Sequence, residues 1–227
     1  MYRILYQSDN DNESENEGEN DNENDNENDN ECESDTDFQN TMDNFNILWK
    51  GKTTVVIHDK NWNSESIGKG LDETYDPRYT FEDIDYYGWR RTLSINMPSL
   101  FELDNMYWNS VSCYYHANKF KKTKPEWYKK LSDAPFLSLK KFCNDHKQYQ
   151  DPYFEDYKNT ILYKGNLAKF IENKQLAEIL IKTYPAKLLL KKYNTLIPAL
   201  ELMKVRLYLI NNKNYYFINQ KIETNLK

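Results

Sequence analysis

The chain has 227 residues, 30 Lys and Arg against 36 Asp and Glu, a net charge of −6 and a mean hydropathy of −0.95. That length accommodates one domain of ordinary size plus an appendage. It contains no run of about 18 apolar residues, which excludes a membrane-spanning helix, and its three cysteines, Cys32, Cys113 and Cys143, make no disulfide framework.

Met1 to Tyr6 is too short for a secretory leader and is followed directly by acids, so a cytoplasmic or nuclear location is expected. A composition rich in Lys, Asn, Tyr and Ile fits an A+T-rich genome, such as that of a large DNA virus, where the location becomes the host-cell interior or the virion. Every odd position from Asp9 to Asp37 is Asp or Glu, 15 acids in all, with Asn at most of the even positions. A period of two is the strand period, but there is no apolar face to bury, and like charges two residues apart repel. Residues 1–40 are therefore expected to form a disordered, Asp/Glu/Asn-rich tail. Residues 1–37 carry 1 basic and 15 acidic residues, whereas residues 38–227 carry 29 basic and 21 acidic ones. The tail hides a mildly basic body, so a basic surface is its expected partner and polyanions are expected partners of the body.

Residues 41–227 are read as a single α+β domain, extended segments first and helices after. Ile47-Leu48-Trp49 and Thr53 to Ile57, separated by Gly51, predict a β-hairpin. Asn61 to Asp76, with Gly68 and Gly70, predicts a loop, and Tyr86, Tyr87 and Trp89 begin a strand region. Phe101 and Leu103 alternate with Glu102 and Asp104, and Asp104-Asn105 signals a turn. Ser110 is a natural N-cap for a helix of aromatic residues at helical spacing. Pro125 opens a short helix. Leu131 to His146 predicts another, with Leu137, Leu139, Phe142 and Cys143 on its apolar side. A long amphipathic pattern from Phe154 to Thr183 breaks at Asn173, with Gly165 a second candidate interruption. Ala186 to Leu190 reads as a strand and Ala199 to Leu209 as the last helix. The aromatic Tyr215-Tyr216-Phe217 cluster reads as a terminal strand or a loose tail.

The stretch Leu93 to Phe120 resembles the signature of the NADAR (YbiA-like) family, Leu-Ser-Asn-Phe-x4-Phe-x-Leu-Asp-Gly-x2-Trp-x2-Val-Glu-His-Tyr-Tyr-Gln-Ala-x-Lys-Phe. It matches without a gap at Leu93, Ser94, Phe101, Leu103, Asp104, Trp108, Val111, Tyr114, Tyr115, Ala117, Lys119 and Phe120. Lys169-Phe170, Asn173, Leu176, Leu180 and Thr183, and then Leu202, Met203, Val205 and Arg206, resemble the family's later helices, so the likeness covers residues 86–210. The resemblance implies a mostly helical domain with a small β part and a pocket for a phosphorylated ribosyl compound. It also implies N-glycosidase (hydrolase) activity, on riboflavin-pathway intermediates in one branch and on ADP-ribosylated nucleic acid in another. The signature Glu and Lys sit in that pocket, and the Lys attacks the sugar's anomeric carbon as an amine. No cofactor and no membrane partner are implied. Trp108, Tyr115 and Arg206 are the expected ligand-binding residues.

The chain departs from the signature where chemistry is concentrated. The Glu is Ser112, the His is Cys113, the Gln is His116, and the Trp-Gly loop before the last helix has no counterpart. Positions 112, 116 and 119 share one helix face by their i, i+4, i+7 spacing. The expected catalytic set is therefore Lys119 as nucleophile, His116 as acid/base in place of Glu, and Ser112 as an orienting group. The competing expectation is a non-catalytic protein that binds nucleotide, ADP-ribose or nucleic acid, or serves structurally. Two Cys-x2-His pairs, Cys113/His116 and Cys143/His146, have the ligand types of a zinc site, but their helical, aromatic setting equally fits core packing, and no metal is assigned. The lysines from Lys119 to Lys130, interleaved with Trp127, suit phosphates or a solvated helix face.

Overall fold

The computed structural model describes residues 47–59, 64–192 and 195–212. The acidic repeat and the Tyr215-Tyr216-Phe217 cluster lie outside the described residues. The fold is α+β, as the order of patterns predicts. Its strands are β1 (Thr54–Ile57), β2 (Phe101–Leu103), β3 (Met106–Trp108), β4 (Lys187–Lys192) and β5 (Thr195–Pro198). Its helices are α1 (Trp89–Thr92), α2 (Val111–Asn118), α3 (Pro125–Lys130), α4 (Phe136–Asp145), α5 (Phe154–Glu172), α6 (Lys174–Lys182) and α7 (Leu200–Asn211), with a 3-10 turn at Lys147–Tyr149.

The expected hairpin around Gly51 does not form. Residues 47 and 48 close a helical turn, Gly51 turns the chain at φ 71°, and β1 pairs in parallel with the distant β4, Val55 opposite Leu188 and Val56 opposite Leu189. Val55, Val56 and Ile57 are all buried. A continuous apolar run suits a strand covered on both faces in a parallel pair, whereas a solvated hairpin would alternate. β5 completes the sheet antiparallel to β4, with Leu190 opposite Ile197. The expected strand at Tyr86–Trp89 is also replaced: Gly88, at φ 67°, turns the chain into the short helix α1, and Trp89 drops into the core.

The outer edge of β1 is closed by the loop the glycines predicted. Thr54 N donates to Thr74 O (2.9 Å) and Val56 N to Glu73 Oε1 (2.9 Å). Glu73 also takes Gly68 N (3.1 Å), Gly70 N (2.9 Å) and both Nε (2.6 Å) and Nη2 (2.8 Å) of Arg90. Its side chain and that of Arg90 are 0% and 1% exposed. A Cβ on Gly70 would stand 2.8 Å from the Glu73 carboxyl carbon, which is why this turn excludes a side chain there.

β2 and β3 form a tight hairpin on Asp104-Asn105, both left-handed (φ 56° and 57°), the geometry that matches strand twist in a two-residue turn. Ser110 caps α2 as expected, its hydroxyl accepting from Cys113 N (3.2 Å). Pro135 delays α4 to Phe136, and Leu137 is 79% exposed rather than packed. α5 runs unbroken through Gly165 to Glu172. A Cβ at Gly165 would meet Val111 Cγ1 and Tyr114 Cδ1 at 3.1 Å, so the glycine permits close crossing of α2 and α5 instead of interrupting the helix.

Two hydrophobic clusters meet along α5. One gathers Val55, Ile57, Trp89, Leu180, Leu188, Met203 and Leu209 around the three-stranded sheet. The other gathers Phe101, Trp108, Tyr114, Phe120, Tyr128 and Leu139 around the hairpin and α2 to α4. α5 contributes Phe170 to the first and Phe154 and Ile161 to the second.

Candidate functional site

The face of α2 that carries Ser112, His116 and Lys119 is divided among three neighbours. Ser112 is fully buried; its N–H donates to Ile95 O (2.9 Å), and its Oγ has no hydrogen-bond partner among the described residues. His116 is partly buried, with Nδ1 3.4 Å from Cys143 Sγ on α4 and its ring edge-on to Tyr115 (5.3 Å). Lys119, at the C-cap, places Nζ 5.5 Å from the Tyr115 ring centre and 5.7 Å from that of Phe154 at the start of α5. His116 and Lys119 are thus neighbours, whereas Ser112 is sealed beneath the turn before β2.

Burial lowers the His116 pKa to about 4, with the Lys119 charge adding to the effect. Burial raises the Cys143 thiol to about 11. At neutral pH this pair is a neutral imidazole and a thiol, not a thiolate–imidazolium dyad. Burial first, then the negative charge of Glu155, pushes Tyr115 up to about 12. Around Lys119 there is therefore a protonated phenol and a very weak base.

Two of the residues expected to touch ligand lie in the core. Trp108 is fully buried, donates Nε1 to Leu103 O (2.9 Å) and packs on Tyr114 and Tyr128. Arg206 is fully buried and clasps Thr183 O (3.1 Å), Thr183 Oγ1 (2.9 Å) and Leu48 O (2.6 Å), and burial lowers its pKa to about 9. Tyr115 remains at the partly open end of the helix beside Phe154 (5.1 Å). The zinc constellation does not assemble either. Cys113 Sγ is taken by Ser110 Oγ (3.2 Å) and Ala134 O (3.3 Å), His146 Nδ1 lies 2.9 Å from Phe142 O, and only Cys143 and His116 meet. Among the described residues no three His, Cys, Asp or Glu side chains come together as a metal site.

Other polar groups, of which the sequence marked Lys169 and Asp104 as no more than signature or turn positions, hold the 92–96 segment and the hairpin turn. Asp59, exposed just beyond the end of β1, accepts from Ser94 Oγ and from Asn96 Nδ2 (2.8 Å). Lys169 of α5 is wholly buried and donates to the carbonyls of Thr92 (2.7 Å) and Ser94 (2.8 Å); burial lowers its pKa to about 7. The Lys169-Phe170 match marked the position in sequence, but nothing local there signals a carbonyl clamp. Asp104, at the hairpin turn, accepts from Lys121 Nζ (2.6 Å), Tyr128 OH (2.8 Å) and Tyr114 OH (3.4 Å). Two surface clefts of about 430 and 450 Å³ flank the segment Thr80–Glu82, one lined by Lys69, Tyr75 and Trp89 and the other by Ile181, Tyr184 and Ile210. Neither is lined by Ser112, His116 or Lys119.

Beyond α2 the chain presents lysines against aromatic rings. Lys122 Nζ lies 4.4 Å from the centre of Tyr157 and pairs with Asp151 (2.8 Å), and Lys124 Nζ lies 5.1 Å from Tyr149. Tyr149 and Tyr153 are 41% and 68% exposed beside them.

No family model matches the sequence, and no curated protein matches it. The fold is similar to that of the Escherichia coli protein YbiA, solved by NMR. The TM-score is 0.52 at 18% identity, over 72% of this chain and 89% of that one. The chain has a YbiA-like fold.

Proposed function

We propose that this YbiA-like domain binds a phosphorylated ribosyl ligand without cleaving its N-glycosidic bond. The reading is carried by Ser112: the position of the signature acid holds a fully buried serine. A lysine must lose its proton before it attacks a sugar carbon. His116, with a pKa of about 4, and Tyr115, at about 12, are poor acceptors for that proton at neutral pH. Binding needs less. Lysine ammonium groups hold phosphate, and exposed aromatic rings offer stacking faces for a base. Lys119, Lys122 and Lys124 with Tyr149 and Tyr153 supply both.

A second reading, retained N-glycosidase activity, is favoured by one observation. The Asp59 carboxylate, held by Ser94 and Asn96, stands one hydrogen bond from the segment that anchors Ser112 and offers an acid from a different element.

Thermal melts and borohydride trapping separate the two. For binding without cleavage, ADP-ribose at about 100 times its Kd stabilises by roughly 2.7 kcal/mol, which is a rise in Tm of about 5–10 °C. In that case borohydride with ribose 5-phosphate or ADP-ribose traps nothing on Lys119, and Ser112→Glu lowers Tm without creating turnover, since an unpaired carboxylate is costly to bury. Release of free base from an ADP-ribosylated oligonucleotide, together with covalent trapping that disappears in Lys119→Ala and weakens in Asp59→Asn, establishes the second reading instead. Absence of any shift with ADP-ribose, ribose 5-phosphate or oligonucleotide rules out the binding reading.

A further inference from the structure

The charge of this chain is divided more sharply than its net value shows. Residues 59–104 hold 5 basic and 10 acidic side chains, and residues 105–227 hold 22 basic and 10 acidic ones. The excess is concentrated in residues 119–150, with nine lysines against Glu126, Asp133 and Asp145. The fold gathers much of this segment into one surface. Trp127 of α3 packs edge-on against Phe142 (5.1 Å), His146 (4.8 Å) and Tyr149 (5.5 Å), which brings the end of α4 and the 3-10 turn beside the α2–α3 junction. Lys124 lies over Tyr149, Lys122 over Tyr157 and Lys121 over Tyr128 (4.8 Å), and Lys147 leads the turn next to His146.

Two acids that border this surface are committed, whereas Glu126, Asp133 and Asp145 are exposed and leave the lysines in a three-to-one excess over residues 119–150. Asp104 and Asp151 pair with Lys121 and Lys122, and Asp151, at 3% side-chain exposure, offers little to solvent, while the two lysines remain 45% and 61% exposed. Among the described residues Lys124, Lys129, Lys130 and Lys147 have no acidic partner. An array of exposed ammonium groups over aromatic rings fits a chain carrying a carboxylate at every second residue.

We propose that the occupant of this lysine face is the protein's own acidic repeat, residues 9–37, which screens the face against phosphorylated ligands. The repeat supplies 15 acids against one Arg on residues 1–37. A 29-residue segment extends to at most about 100 Å, and the body has a radius of gyration of roughly 16 Å, so the repeat can reach the face from any attachment point. Tethering presents the acids at an effective concentration on the order of millimolar. Added salt weakens both the screening and the ligand, so the native chain has a flatter salt dependence of binding than a chain with a neutral repeat.

The screening rests on the binding reading above, and its test has an arm that does not. Cys113 and Cys143 are 1% and 3% exposed, so a nitroxide maleimide on the folded full chain is directed to Cys32, inside the repeat. Amide signals of residues 121–124 and 147–149 are expected to broaden at low salt and recover near 0.5 M salt, where the Debye length falls to about 4 Å. Uniform broadening, or none at these residues, overturns the proposal. In the second arm, a full-length chain with Asp→Asn and Glu→Gln throughout residues 9–37 is titrated with ADP-ribose and with a labelled 20-mer of deoxythymidine. If the native face is open about one tenth of the time, the neutral-repeat chain binds about ten-fold tighter. Equal affinity of the two chains overturns the screening. If neither chain binds either probe, the binding reading fails, and the nitroxide result decides whether the repeat occupies the face.

Discussion

Lys169 shows how one residue can be visible in a sequence and still be misjudged from it. Next to Phe170 in a helical pattern it reads as a family match, yet its ammonium group is wholly buried with two backbone carbonyls and no carboxylate. A neutral amine has two N–H donors, which match the carbonyls of Thr92 and Ser94 one for one. With the folded pKa lowered to about 7 and the unfolded value near 10.5, the unfolded chain holds the extra proton between those values. Stability therefore rises with pH through that window, and the full cost of burying the charge is present below it. Lys169→Met leaves both carbonyls unpaired, at about 1–3 kcal/mol each. The variant is expected to be about 2–5 kcal/mol less stable at pH 9, with the deficit shrinking as pH falls toward 7. Urea unfolding at several pH values checks this, and a deficit that stays constant from pH 7 to 10 contradicts it. The candidate catalytic residues share the same limit. Helical spacing relates positions 112, 116 and 119 to one another, but not to what covers them: Cys143 on α4 and Phe154 on α5 arrive from elsewhere in the chain.

At the scale of elements, local signals were readable where local chemistry decides the outcome. The Ser110 cap, the Asp104-Asn105 turn, the Pro125 start of α3 and the break at Asn173 all depend on residues within a few positions. The parallel pairing of β1 with β4 does not, and neither does β5, whose Thr195–Pro198 run has too few residues to declare itself. Closure of the β1 edge is equally non-local and depends on Glu73, whose two oxygens accept five hydrogen bonds. Glu73→Gln keeps the shape but turns one acceptor into a donor facing donors, and it leaves Arg90 charged and buried. Breaking a buried pair in this way costs about 3–5 kcal/mol, roughly 10 °C in Tm. A thermal melt of Glu73→Gln within 3 °C of the native chain would show that the loop 64–76 is held by other contacts.

For the whole molecule, the question is whether the two hydrophobic clusters fold as one unit. α5 joins them, with Phe154 and Ile161 in one and Phe170 in the other, and Gly165 lies between, at the crossing with α2. A side chain at 165 presses on Val111 and Tyr114, which belong to the hairpin cluster, and reaches the sheet cluster only through the helix. Gly165→Val adds a β-branched side chain where even a Cβ stands 3.1 Å from two neighbours, and overpacking of this kind costs about 2 kcal/mol. If the clusters open together, native-state hydrogen exchange of slow amides in both β4 and α2 accelerates by the same factor, about 30-fold for that cost. Acceleration confined to α2 and its neighbours would mean that the sheet holds without the hairpin half. The same comparison bears on function: the lysine face is built on the hairpin half, so cooperative opening ties its integrity to the buried Lys169 and Glu73 networks on the other side of α5.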